Sequence, residues 1–470
     1  MLETGVRQVR MAMSMVFGRR LNVRALEALV ADALATLDEF GSLGDEVEQL
    51  SDGPFADPGD RRDLQDRALR RTVRRLARQS AFYRERLAGV DPDRVSTETL
   101  PAIPVTRKAD LIERPADFLC SAPYLATQTT GSTGRPLQLW VSRYEMGLWP
   151  ALVALAVLLR GDLRPADLTQ INVSSRATAP IREAVEVSRL THSSVHVVGQ
   201  IPAEESLDHL LGTYGRAPTI VASNASYLGQ VVTEALRRGC GPGDFRLRAV
   251  NVGGEMLTAG LADAIGKTFG AEQVNDIFGM TELLPVGGRT CSHRHLHMDP
   301  NMGYAEVLDL ETGSPAEPGR LGTLTVTPYY PYRECMPVLR YDTRDVVRAL
   351  PGDLDCEMGA IPAVSQILGK AGRLHRTADG TLTPRDVLEA LDGTPGLQWP
   401  IRHRAEVGAN GKLHVEIATR EAAASDASAR LQAHGIDATV TVLPLDPAAA
   451  ARRFPLRCDL LEHTFTRSAP

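Results

Sequence analysis

Apolar residues recur at helical spacing from Leu21 to Phe40, where Leu26, Leu29, Val30, Ala33 and Leu37 share one face. A second helix is predicted over Arg61 to Gln79, with Leu64, Leu69, Val73 and Leu76 inward and a dense run of arginines outward. Between them Ser51 to Asp60 is polar and carries Gly and Pro, the composition of a loop. Leu148 to Leu159 is almost continuously apolar but too short to span a bilayer, so it reads as a buried helix.

From Leu168 to Glu282 the pattern alternates. Short apolar runs at Gln170–Val173, Val195–Val198, Thr219–Ala222, Ala249–Val252 and Val274–Phe278 predict strands. Helical segments separate them, at Ile181–Leu190, Ser206–Tyr214, Tyr227–Arg237 and Ala259–Phe269. This order predicts a parallel sheet with helices on its faces and ligands at the carboxyl ends of its strands. From Gly303 to Leu350 the helical pattern stops. Alternation at Leu324–Thr327 and Val338–Val347 predicts an antiparallel or barrel-like subdomain. After Ile367 a small α+β unit is predicted. It has a helix at Pro384–Leu391, a hairpin turned by Asn410-Gly411 between Ala405–Val407 and Leu413–Ile417, a helix at Asp426–Ala433 with Ser425 as N-cap, and a strand at Ala438–Leu443.

The expected fold class is therefore α/β: a large N-terminal domain with parallel sheets flanked by helices plus a barrel-like β subdomain, and a small mobile α+β C-terminal domain. The expected boundaries are 1–60 for a helical extension, 61–368 for the large domain (β subdomain about 286–366) and 369–470 for the small one. At 470 residues the chain is too long for a single core, in keeping with this division. A net charge of −6 does not favour nucleic-acid binding, and no segment reads as a membrane span. Six cysteines and no clear leader cleavage site suggest a reducing, cytoplasmic setting. Whether the chain is a monomer or a homodimer stays open. The cations are lopsided, since the lysines are Lys108, Lys267, Lys370 and Lys412 alone.

Three motifs carry candidate chemistry. Thr129-Thr130-Gly131-Ser132-Thr133-Gly134 places hydroxyls and glycines before Arg135, a combination able to wrap a polyphosphate, although such runs are also common surface turns. Asn275-Asp276-Ile277-Phe278-Gly279-Met280-Thr281-Glu282 closes a predicted strand with an aromatic ring, a hydroxyl and a carboxylate suited to Mg²⁺. Gly253-Gly254-Glu255 closes the preceding one, and Asp345 in Arg340-Tyr341-Asp342-Thr343-Arg344-Asp345 offers a carboxylate to two ribose hydroxyls.

In this order the motifs resemble the AMP-forming adenylating enzymes, and within them the phenylacetate–CoA ligases. Ser80–Leu87, Pro104–Leu111, Pro337–Asp345 and Ile367–Leu391 are similar to segments of that family. The resemblance implies ATP-dependent activation of a carboxylic acid, aromatic by analogy, as acyl-AMP with release of pyrophosphate. Transfer to coenzyme A follows, with an amine or other small nucleophile as the alternative acceptor and a non-catalytic nucleotide-binding relative as the alternative class. It further implies that Thr129, Thr130, Gly131, Ser132, Thr133 and Gly134 hold phosphates and that Gly254, Glu255, Asp276, Phe278, Gly279 and Met280 border the nucleotide. Thr281 would touch phosphate, Glu282 would bind Mg²⁺ and Asp345 would hold the ribose. Trp149, Asn224 and Gly253 are candidates to line the acyl site.

The chain departs from the family pattern in its second half. Arg344 stands where the family has glycine, and the hinge reads Gly369-Lys370-Ala371-Gly372-Arg373. The family's catalytic lysine near the C-terminus is missing, since no lysine follows Lys412. Arg457 or Lys370 is the expected substitute, with Arg452 and Arg453 as nearby cations. A structural Zn²⁺ is a further expectation. Cys291, His293, His295 and His297 are followed by Cys335 and Cys356, similar to positions in some relatives, and the favoured set is Cys291, His297, Cys335 and Cys356. Scattered core thiols and solvated histidines are the competing reading.

Overall fold

The computed structural model describes residues 2–16, 18–43, 57–128, 137–175, 177–352, 354–419 and 423–459. A hairpin of β1 (Leu125–Gln128) and β2 (Gln138–Val141) precedes the main sheet. The sheet is built from β3 (Leu168–Asn172), β4 (Ser194–Val197), β5 (Ile220–Ser223), β6 (Ala249–Gly253) and β7 (Gln273–Gly279), which pair in parallel in the order β4-β3-β5-β6-β7. The connecting helices are Thr178–Thr191, Ala203–Leu210, Ala225–Arg237 and Ala259–Phe269. The predicted strand–helix alternation is thus found, with the third helix starting earlier and the second ending sooner than the pattern suggested.

The sheet then changes character. β8 (Gly287–Thr290), β9 (His295–Met298) and β13 (Ala363–Ser365) extend it antiparallel beyond β7. No apolar run announces β8, because two of its four residues are glycine. Added bulk at Gly288 would meet Leu296 and Met298, so the missing side chain is what lets β8 and β9 pack. A separate antiparallel sheet, in the order β10-β11-β12-β14, joins β10 (Gly303–Asp309), β11 (Leu321–Pro328), β12 (Tyr341–Arg348) and β14 (Gly369–Lys370). It fills the place where an antiparallel or barrel-like unit was expected, as an open four-stranded sheet.

The C-terminal unit pairs β15 (His375–Thr377) with β16 (Gly380–Leu382). It also stacks β17 (His403–Val407), β18 (Leu413–Ala418) and β19 (Ala438–Leu443) on helices Pro384–Leu391 and Ala424–Ala433. Thr383 and Asp386 cap the first helix reciprocally, with Pro384 at its first position, which is why the sequence marks its start so sharply. Ser425 is not a cap. The second helix begins at Ala424, one position before it, with Ala423 at the cap and no side-chain acceptor there.

The main core gathers Leu69, Val73, Tyr83, Leu139, Trp149 and Tyr341, and a second core lies under the helices Ala225–Arg237 and Ala259–Phe269. The arginine-rich helix, Pro58–Gln79, buries Leu69, Val73 and Leu76, while Leu64 is half-buried. Its arginines do not form the solvated face expected, since Arg61, Arg70, Arg71, Arg74 and Arg75 are half-buried and Arg75 stacks on Tyr330 at 4.4 Å. The helix Val23–Phe40 packs Val30 and Leu34 against Ala154 and Leu158 of the long buried helix Arg143–Leu159. Among the described residues no helix is long and apolar enough to cross a membrane.

Candidate active site

Three strands deliver the candidate residues to one end of the parallel sheet. β5 ends at Ser223 before Asn224, β6 ends at Gly253 before Gly254-Glu255, and β7 ends at Gly279 before Met280-Thr281-Glu282. Gly254 has φ +77°, a left-handed conformation open to glycine at little cost. Its carboxylate neighbour Glu255 accepts from the Ser226 backbone N–H at 2.9 Å and from the Ser226 hydroxyl at 2.6 Å, at the start of the helix Ala225–Arg237. Asn224 closes the turn by donating to the Gly253 carbonyl at 2.8 Å.

The other wall comes from β12. Asp345 is 6% exposed and pairs with the Lys370 ammonium at 2.9 Å. Burial pushes its carboxyl above the usual aspartate range, and the Lys370 ammonium works against that shift. Lys370 also donates to the Thr343 carbonyl at 3.0 Å, so the hinge cation is held at the candidate ribose site. Arg344 has φ +60°, which accounts for glycine at the equivalent family position. Here Asp342 offsets the strain by accepting the Arg344 N–H at 2.9 Å. Glu282, 4% exposed, accepts from the Tyr341 hydroxyl at 3.3 Å. Burial, then Glu282, then Asp342 and Asp345 raise the Tyr341 phenol above the ordinary value.

The chain's tail completes the arrangement. Arg457 lies over Gly254: a methyl group built there would sit 2.6 Å from its Nη1 and 3.1 Å from Asn224 Nδ2. The guanidinium is close enough to favour the charged form of Asp345. Cys458 is buried in the core of the large domain and its backbone N–H donates to the Ser226 hydroxyl at 3.3 Å. Arg453 is turned away, paired with Glu416 at 2.9 Å, and Arg452 is exposed. Of the tail cations, Arg457 alone lies against Gly254 among the described residues.

Other expected residues fall elsewhere. The stretch Thr129, Thr130, Gly131, Ser132, Thr133 and Gly134 lies outside the described residues. Trp149 is 0% exposed and its indole N–H donates to the Tyr332 carbonyl at 2.8 Å. It is a core residue, because a ring that size on the inward face of a buried helix is more stable packed than lining a cleft. Asp276 accepts from Gln366 at 3.0 Å, and burial raises its carboxyl. Phe278 and Met280 rest half-buried on the main core, while Gly279 is exposed. Thr281 is half-buried in the turn after β7. Gly253 approaches the Ile277 carbonyl so closely that a methyl carbon would lie at 3.2 Å.

A second cluster stands at the far edge of the sheet. Donor atoms of Cys291, His295, His297 and Cys356 lie within 4.8 Å of one another. The Cys356 thiol is 3.4 Å from His297 Nε2, and the opposite ring nitrogen, Nδ1, is 2.9 Å from the Ile361 carbonyl. The His295 N–H points at Cys291 Sγ from 3.3 Å, whereas His295 Nδ1 is buried without a partner. Two thiols, two imidazoles and an orphaned ring nitrogen fit a tetrahedral Zn²⁺. Cys335 does not join them. Its thiol is directed at the Ser121 carbonyl at 3.6 Å and its own carbonyl accepts from Cys120 N–H, so β-sheet pairing brings His295 where Cys335 was expected. The alternation of His295 and His297 along one strand was the available signal.

No family model matches the chain. Curated relatives do. Phenylacetate–coenzyme A ligase of Thermus thermophilus is 26% identical over 295 residues, 61% of this chain and 65% of that one. Its counterpart in Pseudomonas putida is 27% identical over 289 residues, 58% of this chain and 62% of that one. The matched stretch thus spans just under two thirds of each relative's own length. Among solved structures, 2-hydroxyisobutyryl-CoA ligase in a postadenylation state with its acyl-AMP superposes with a TM-score of 0.70 at 21% identity, covering 82% of this chain and 86% of that one. That protein has also been solved in open and thioesterification states. The fold is therefore that of the adenylate-forming CoA ligases, and the sequence is related to the phenylacetate–coenzyme A ligases.

Proposed function

We propose that this protein is an AMP-forming ligase that activates a carboxylic acid, aromatic by its relatives, as acyl-AMP and passes the acyl group to coenzyme A. The observation that supports the reading is Arg457 lying against Gly254 from 203 positions along the chain, with its guanidinium favouring the charged form of Asp345.

In this reading the Asp345 carboxylate accepts hydrogen bonds from the ribose hydroxyls. Gly253 and Gly254, with no side chains, let the nucleotide approach the backbone, and Glu255 fixes the turn that presents them. Phe278 borders the adenine from its half-buried position, and Asn224 borders the acyl group. The substrate carboxylate attacks the α-phosphate of ATP, the bond to pyrophosphate breaks, and a mixed anhydride with AMP forms. Charge builds on the α-phosphate oxygens in that step. The Arg457 guanidinium, over Gly254, is placed to neutralise it, and preorganised charge of this kind is commonly the largest contribution to such catalysis. Glu282, a hard oxygen ligand, would hold Mg²⁺, which when bound neutralises the departing phosphates. In the second half-reaction the coenzyme A thiolate attacks the acyl carbonyl and AMP leaves.

Cys291, His295, His297 and Cys356 would hold a structural Zn²⁺, pinning β9 to the loop before β13. In this reading the small domain moves about the segment that follows β14, at Ala371–Arg373, while Lys370 stays paired with Asp345 on the large domain's sheet. Pyrophosphate release measured over a panel of aryl acids, with and without coenzyme A or amines, tests the reading. Release requiring ATP, Mg²⁺ and one acid is expected, with thioester formed when coenzyme A is present. No release with any acid would overturn it.

A further inference from the structure

We propose that Asp392, with Glu389, is a positioning residue that latches the small domain onto the start of the helix Ala259–Phe269 and so sets Arg457 over the nucleotide cleft. The proposal rests on the adenylating activity proposed above and assigns a residue to its control. Asp392 is 3% exposed, just beyond the helix Pro384–Leu391. Its two oxygens have separate tasks. Oδ2 accepts the Leu261 N–H at 3.0 Å and Oδ1 accepts the Trp399 indole N–H at 2.9 Å. Glu389 accepts the Ala259 N–H at 3.0 Å. The helix already has its own cap, Thr258, whose hydroxyl accepts from Leu261 at 3.3 Å. Thr258 leaves the Ala259 N–H to Glu389, and Asp392 adds a charged acceptor for Leu261, so both carboxylates from the small domain satisfy or reinforce this helix end and favour its positive pole.

From Asp392 a continuous set of contacts runs to the cleft. Trp399 presses against Gly229, and its carbonyl accepts from the Thr233 hydroxyl at 2.8 Å. Three residues on, Arg402 grips Asp459 with bonds of 2.5 and 2.8 Å and the Phe454 carbonyl at 2.9 Å. Asp459 is two residues from Arg457, and Cys458 between them is bonded to Ser226. Chains of packed and hydrogen-bonded groups of this kind can carry coupling between distant positions.

Two features fit a reversible contact. A cavity of about 850 Å³ lies beside the latch, lined in part by Arg294, Gln366, Arg385 and Arg430, so water reaches the docking surface. On the large domain's side the closest residue is Gly260, where any side chain would collide with the Asp392 carboxylate.

The test attacks the latch from both sides. Asp392→Asn leaves one carbonyl oxygen for two donors. Gly260→Ala adds a methyl group to a helix position where alanine is the better former, so the large domain keeps its fold. ATP–pyrophosphate exchange is measured separately from thioester formation on a supplied synthetic acyl-adenylate with coenzyme A. Both variants are expected to lose at least about tenfold in exchange while consuming the acyl-adenylate at the wild-type rate or faster. Equal loss in both half-reactions, or no loss in either, would overturn the proposal. Hydrogen exchange at Ala259 and Leu261 reads the contact without any turnover: faster exchange in Asp392→Asn is expected, and unchanged protection overturns the latch. If wild-type enzyme shows no exchange with any acid, it is the adenylating activity that fails, while the amide measurement still decides the latch.

Discussion

Arg457 is where the reading is most exposed. Replacing it with alanine removes a fixed cation that faces the cleft across Gly254 with no side chain between them. A unit charge about 5 Å from developing negative charge is worth roughly 3 kcal/mol at an effective dielectric of about 20. Loss of one oxyanion donor in other enzymes costs a similar amount, about 2.7–4 kcal/mol. ATP–pyrophosphate exchange should therefore fall by about 10²- to 10³-fold in Arg457→Ala. Arg457→Lys, which restores the charge, should recover part of it. Arg457 has no ion-pair partner among the described residues, so the change in unfolding free energy should stay within about 0.5 kcal/mol. Arg453→Ala is the control, because its partner Glu416 lies on β18 of the small domain. Exchange within about threefold of wild type in Arg457→Ala, a change below about 0.7 kcal/mol, would refute the assignment.

Three further outcomes are expected. Glu282→Gln keeps the shape and the Tyr341 contact but loses the ligand charge, so Mg²⁺-dependent pyrophosphate release should drop by about 10²-fold or more, and normal turnover would remove Glu282 from the metal site. Elemental analysis should find one zinc per chain, lost in Cys291→Ser or Cys356→Ser and retained in Cys335→Ser, and zinc retained in the first two would exclude the cluster. Asp345 must be ionised to hold the ribose, so its function is present above its pKa and fades as pH falls. Since the Lys370 ammonium restrains the rise caused by burial, Lys370→Met should move the acid limb of kcat/KM for ATP to higher pH, and an unmoved limb would mean that the pair does not control Asp345.

What could be read from the sequence was what local chemistry dictates. The helix Ala259–Phe269 has Thr258 at one end and Gly270, with φ +67°, at the other, and both ends were legible. The strand Ala438–Leu443 was legible because its polar and β-branched residues alternate. β8 was not, since glycines give no hydrophobic pattern and its place is set by β7 and β9. The same limit appears at the sites. Asp345 and Glu282 were proposed from motifs, and Arg457 or Lys370 from the lack of any late lysine. Trp149 was misplaced because an aromatic residue near a cleft and one in the core look alike in a sequence. His295 displaced Cys335 from the cluster because strand register, not cysteine spacing, decides which side chains meet. Asp392 gave no signal at all, since its partner Leu261 is 131 positions away.

The guanidinium at the cleft also changes what the protein can do to itself. A mixed anhydride with AMP is a strong acylating agent, and a free amine beside it is an obvious victim. A lysine there could be modified by the very product it helps to make, or silenced by acetylation from outside. Arginine offers no such nucleophile and keeps its charge at any alkaline pH the fold survives. On the proposed reading, this tail presents no amine for the acyl-AMP to cap.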